Sequence, residues 1–175
     1  MMDHRYPIGK FQKQDTITDE QRKEFIKNIA EAPEKLRTAV QGLSEHQLNT
    51  SYREGGWTVR QVIHHLPDSH LNAYVRFKLV MTEENPTIKT YYENLWAELY
   101  DARTAPIETS LLLLESLHKR WVMFLQSLKP SDFSRTFHHP EHGIMKLDHL
   151  VQLYSWHGRH HVAHITSLRE RMKWR

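Results

Sequence analysis

The chain has 175 residues, 24 Lys+Arg against 21 Asp+Glu for a net charge of +3, and no cysteine. The lack of cysteine excludes disulfides, thiolate catalysis and Cys-type zinc fingers, and so mild a basic excess, spread along the chain, argues against nucleic-acid binding. A single domain over residues 1–175 suits this length; no apolar run nears the ~20 residues that span a bilayer, and Met1–Asp15 has no apolar signal core, which together predict a cytoplasmic protein without membrane contact.

Glycine and proline are few and alternating β-branched segments scarce, while apolar residues recur at three- and four-residue spacing, the mark of helices. The first helix is predicted to start at Thr18, whose pairing with Gln21 reads as a capping box. Phe25, Ile29, Ala32, Leu36, Val40 and Leu43 form its stripe, which Pro33 is expected to bend or split. The turn Glu54-Gly55-Gly56 leads into a second helix from Thr58, carrying Val59, Val62, Ile63, Leu66, Ala73, Tyr74, Phe77 and Val80. Pro67 interrupts this pattern, and a kink near Leu66 is expected. Residues 82–105 form a long connection with one short helical piece around Trp96. The third helix spans Ile107 to Leu128, an irregular stretch covers Pro130 to Lys146, and the fourth helix runs from Leu147 to Met172. Four amphipathic helices and no strong strand signal predict an all-α four-helix bundle with a long connection between the second and third helices.

Fourteen residues are histidine, the commonest metal ligand. At about 100° per residue, His157, His161 and His164 fall within about 40° of Leu150, in the middle of the last helix's apolar stripe. His149 and His160 lie at its margin. Burying one imidazole without a partner costs on the order of 1–3 kcal/mol, so three on one face call for something that satisfies them. A divalent cation does so, since neutral imidazole binds Zn, Ni, Cu or Fe, and the i, i+4 pair His157/His161 has the spacing of helical metal motifs. A third ligand has to come from another helix. On the second helix His65 reaches inward from the rim, His70 lies on the apolar face as a competing candidate, and His64 points to solvent or a neighbour. His118, alone on the third stripe, reads as a core histidine bonded to a carbonyl or hydroxyl. His138, His139 and His142 read as solvated surface residues.

Two segments carry a resemblance to a known family. The run Tyr52-Arg53-Glu54-Gly55-Gly56-Trp57-Thr58-Val59-Arg60-Gln61-Val62, with His64-His65-Leu66 and Asp68-Ser69-His70 after it, resembles the YfiT branch of the DinB superfamily. So does Tyr154, Trp156-His157, His160-His161 and Ala163-His164-Ile165, and the likeness extends from Tyr6-Pro7-Ile8-Gly9 to the C-terminus. The resemblance implies a four-helix bundle, a homodimeric cytoplasmic protein, and a three-histidine site near one end for one divalent metal, Zn or Ni. Carried over by position, the ligands fall on His65, His157 and His161, with His164 beside the site. Pro67 departs from the family pattern, where an ordinary helix former stands.

The family's activities are metal-dependent hydrolysis and, in low-G+C Gram-positive bacteria, bacillithiol S-transfer. Both suit a metal held by neutral imidazoles, which keeps its full positive charge and an open position for a water or thiol nucleophile aimed at an electrophilic small molecule. With no cysteine in the chain, a sulfur nucleophile has to come from a cosubstrate such as bacillithiol. Asp68, three residues after His65, is the candidate acid or base, hydrogen-bonded to a ligand imidazole or to the nucleophile, or else a cap where the helix restarts after Pro67. Arg53 and Arg60 could hold an anionic thiol's carboxylate. The alternative reading is a non-catalytic metal- or small-molecule-binding stress protein.

Overall fold

A computed structural model describes residues 3–174; Met1, Met2 and Arg175, which the expected domain span includes, lie outside them. Four long helices dominate: α1 (Asp19–Val40), α3 (Val59–Thr82), α6 (Ile107–Ser127) and α7 (Leu147–Met172), with short α2 (Glu45–Leu48), α4 (Glu93–Trp96) and α5 (Tyr100–Thr104) between them. The capping box at Thr18 forms as expected: Gln21 N–H donates to Thr18 Oγ1 at 3.1 Å and Thr18 N–H to Gln21 Oε1 at 2.8 Å. Thr58 and Gln61 start α3 in the same way.

The helices pack α1 on α7, α7 on α3, α3 on α6 and α6 on α1, so that α1 and α3 face each other diagonally, as do α6 and α7. The long connection before α6 is what permits this order, because it releases α6 from a short-loop antiparallel return. A bidentate pair from Arg22 to Asp148, at 2.7 and 3.0 Å, pins α1 to the start of α7.

Three expectations change. Both prolines are accommodated inside continuous elements: Pro33 does not split α1, and α3 runs unbroken through Pro67, so no helix restarts there. The connection holds a second helical turn, α5, beside the piece at Trp96. The stretch 130–146 is ordered: a 3₁₀ turn at Pro130–Ser134 precedes an antiparallel hairpin of β1 (Thr136–His139) and β2 (Gly143–Lys146). Phe137 of β1 enters the core, and His138 exchanges backbone hydrogen bonds with Pro86 and Ile88, which ties the hairpin to the long connection.

The apolar interior comes in two clusters. One gathers Ile26, Ile29, Phe77, Trp121, Leu125, Phe137, Leu150 and Tyr154; the other gathers Leu36, Val59, Val62, Leu66, Leu114, Ile165 and Leu168. Along every long helix the residues at the junction of these clusters are a small residue or histidines, buried except for the half-buried His157: Ala32 on α1, His65 and His70 on α3, His118 on α6, and His157, His161 and His164 on α7. A polar layer therefore crosses the bundle between the two clusters, rather than beyond either end.

Candidate metal centre

His65 sits on the second turn of α3, and α7 supplies His157 and His161 one turn apart. One ring nitrogen from each lies within 4.8 Å of the other two. Nε2 of His65 is 3.3 Å from Nε2 of His157. Two nitrogens bound tetrahedrally to one zinc-like ion at 2.0–2.1 Å stand about 3.3 Å apart, so this spacing fits a shared cation. The donor set is chemically suitable as well, because burial keeps the imidazoles neutral. Burial, then the nearby His164, pushes His65 down to about 4. Burial first, and neighbouring histidines second, hold His157 and His161 well below the ordinary histidine value. An unprotonated ring nitrogen is what a metal requires.

The surroundings hold these rings in place. Behind His161, Nδ1 of His164 lies 3.3 Å from Nδ1 of His161, and Nε2 of His164 is 3.1 Å from the carbonyl oxygen of Arg5. That carbonyl can only accept, so His164 donates through Nε2 and its Nδ1 accepts from His161, which leaves Nε2 of His161 free. The ring of Tyr52 stacks on His164 at 4.0 Å between centroids. Trp57 covers the triad, 4.7 Å from the His65 ring and 6.3 Å from that of His161. Local sequence explains its position: Gly55 adopts φ +63°, Gly56 N–H donates to Arg53 O, and Tyr52 N–H donates to Trp57 O at 3.0 Å, folding the Gly-Gly turn back onto α3.

Other candidates are placed elsewhere. His70 is fully buried behind His157, with Nε2 3.0 Å from Nδ1 of His157, rather than beside the three converging nitrogens. His64 faces a neighbour, 2.7 Å from Ser110 Oγ and 3.0 Å from Ala105 O. His118 bonds a main-chain carbonyl as read, that of Ile29. His138 and His142 are exposed and His139 half-buried. The Asp68 carboxylate, half-buried in α3, makes no hydrogen bond to the three rings among the described residues; burial, with the Asp101 charge behind it, raises it to about 6. Arg60 is committed to structure: buried, it bonds Ala105 O at 2.8 Å and pairs with Glu45 at 2.5 Å, so it is not free to hold a substrate carboxylate. A surface groove of about 900 Å³, lined by Lys35, Ala39, Val162, Thr166, Arg169 and Trp174 among others, runs along α1 and α7 and includes none of the triad. Trp57 and Tyr52 went unremarked as site-building residues in the sequence reading, although both stand in the run that carries the resemblance.

Residues 28–165 match the DinB superfamily, and the chain belongs to it. Two relatives named "Putative metal-dependent hydrolase", from Bacillus mycoides and Bacillus cereus, are 57% and 55% identical over 174 residues, covering 99% of this chain and 100% of each relative. The solved structure of YfiT from Bacillus subtilis superimposes with a TM-score of 0.96 at 47% identity, covering 99% of this chain and 100% of that one. It is described as "a probable metal-dependent hydrolase with an unusual four-helix bundle topology".

Proposed function

We propose that His65, His157 and His161 hold one divalent metal ion, zinc or nickel, and that the protein uses it to activate a water or thiol nucleophile against an electrophilic small molecule. The observation that carries this reading is the convergence of three neutral ring nitrogens from α3 and α7 at a spacing one ion can bridge. When bound, such an ion supplies Lewis acidity, lowering the pKa of a coordinated water or thiol toward neutrality. Three uncharged ligands leave that acidity undiminished, and three protein ligands are what a catalytic rather than a closed structural site has. Trp57 covers one side of the triad and limits water there. Asp68, titrating near 6, is suited to take up a proton at neutral pH. With no cysteine in the chain, a sulfur nucleophile comes from the cosubstrate, and bacillithiol is the thiol we favour. The exposed side chains of Tyr92, Leu95, Leu99 and Tyr100 supply apolar surface for a homodimer.

Elemental analysis of purified protein tests the centre. We expect one metal per chain in the wild type and in His142→Ala, and under a tenth of that in His157→Ala or His161→Ala. Full metal in the latter two removes the assignment. The reaction is tested by incubating zinc- and nickel-loaded protein with monochlorobimane and a panel of thiols including bacillithiol, beside ester substrates. Metal-dependent conjugation supports thiol transfer; ester turnover without it supports hydrolysis. Uncatalysed rates throughout, with metal bound, leave a metal-binding module.

A further inference from the structure

Pro33 stands in the middle of α1 and has no amide hydrogen, so the carbonyl of Ile29, one turn earlier, lacks the donor a helix normally gives it. That carbonyl is not left bare. Nδ1 of His118, arriving from α6, lies 2.6 Å from it. A carbonyl oxygen only accepts, so the hydrogen sits on Nδ1 of His118, and a neutral imidazole has just one. Nε2 of His118 is therefore an acceptor, and it stands 2.8 Å from Nδ1 of His70. This places the hydrogen of His70 on its Nδ1 and makes its Nε2 the acceptor, 3.0 Å from Nδ1 of His157. By the same rule His157 carries its hydrogen on Nδ1. Its lone pair is left on Nε2, the atom that faces His65.

We propose that His70 and His118 are positioning residues: a relay of ring N–H donors, anchored on the Ile29 carbonyl that Pro33 leaves free, which fixes the tautomer of His157 and presents its Nε2 to the metal. The inference rests on the reading of His157 as a ligand and extends it to α6 and α1, neither of which contributes to the triad. Both relay residues are closed to solvent, His70 at 0% and His118 at 2% exposure, so water does not compete for these bonds. The rings of His70 and His118 lie within 20° of parallel, and the ring of His157 is tilted 49° to that of His70. Metal-bound histidines are commonly oriented by a carboxylate or carbonyl at the second nitrogen. Here the final acceptor is a carbonyl reached through two uncharged rings, so His157 is oriented without a negative charge that would weaken the metal as a Lewis acid. A purely space-filling role for His70 and His118 leaves His157 with the tautomer preference of an unconstrained imidazole. Histidine side chains in water favour the Nε2–H form, so the relay makes the opposite prediction to the unconstrained case.

The test pairs two readouts on metal-free full-length protein: long-range ¹H–¹⁵N NMR of the imidazoles, and Zn²⁺ affinity by chelator competition. In the wild type, His157 is expected wholly in the Nδ1–H form. In His118→Phe, which keeps an aromatic ring of similar size, His157 should show both tautomers and the Zn²⁺ dissociation constant should rise about 10- to 100-fold, with the circular dichroism unchanged. An Nε2–H tautomer at His157 in the wild type overturns the proposal. So does a folded His118→Phe protein whose tautomer and affinity match the wild type. The wild-type spectrum decides the question even where the variant fails to fold. If wild-type protein takes up no Zn²⁺, the metal-centre reading fails by itself. The relay is then upheld by an Nδ1–H signal at His157 and removed by an Nε2–H signal.

Discussion

A carboxyl that keeps its proton to about pH 6 has a cost that can be measured. Burial and then the Asp101 charge raise Asp68 from an ordinary value of 3.8. Its folded value lies above its unfolded one, so the contribution of Asp68 favours the native state below pH 4 and is lost as pH rises through 6. Asp68→Asn is therefore expected to raise the thermal midpoint at pH 7.5 by about 1–3 °C and to leave it nearly unchanged at pH 4. Equal midpoints at pH 7.5 would mean that the carboxylate is well solvated. Angles on the helical stripes, which are intrinsic to each helix, put His157, His161 and His164 on one face and left His65 and His70 both open on another; it was the family resemblance that narrowed these to His65, His157 and His161. The relay could not be read from those angles. Whether His70 meets His118 depends on how α3 and α6 are rotated against each other, and neither helix's periodicity contains that rotation. One local signal was present: Pro33 stands four residues after Ile29, which marks a carbonyl in search of a donor.

Among the elements, the four long helices followed from their repeats, and their caps at Thr18 and Thr58 from side-chain chemistry. The hairpin at 136–146 escaped, because two four-residue strands are too short to display an alternation and its histidines and Pro140 resemble loop. Of the bend or split expected at Pro33, the split does not occur, because packing on α6 and α7 keeps the helix continuous. Close approach between elements is sharpest at Gly158 of α7. A Cβ there would stand 3.1 Å from Cβ of Ala32 on α1 and 3.6 Å from Cε1 of His70. Gly158→Leu is expected to force α1 and α7 apart, destabilising the protein by about 2–3 kcal/mol, a fall of roughly 5–10 °C in midpoint by calorimetry. A midpoint within 1 °C of the wild type would contradict the packing described here.

At the scale of the molecule, the layer of uncharged imidazoles ties stability to acidity. Burial lowers His65, His118 and His164 to about 4 and His160 to about 3, against an ordinary 6.5. Below pH 6.5 the unfolded chain takes up protons that the native state refuses, so stability is expected to fall as pH drops from 6.5 toward 4. Thermal midpoints of metal-free protein at half-unit steps check this. A flat profile down to pH 4.5 would show that the rings are reached by water.

The proline in α1 has a practical consequence. Protein engineers routinely exchange a mid-helix proline for alanine to regain the missing bond and a more regular rod. In this bundle that exchange would hand Ile29 a second suitor for its oxygen, and the repair would loosen the peg from which a neighbouring rod hangs its ring. What looks like a defect in one helix is a socket for another.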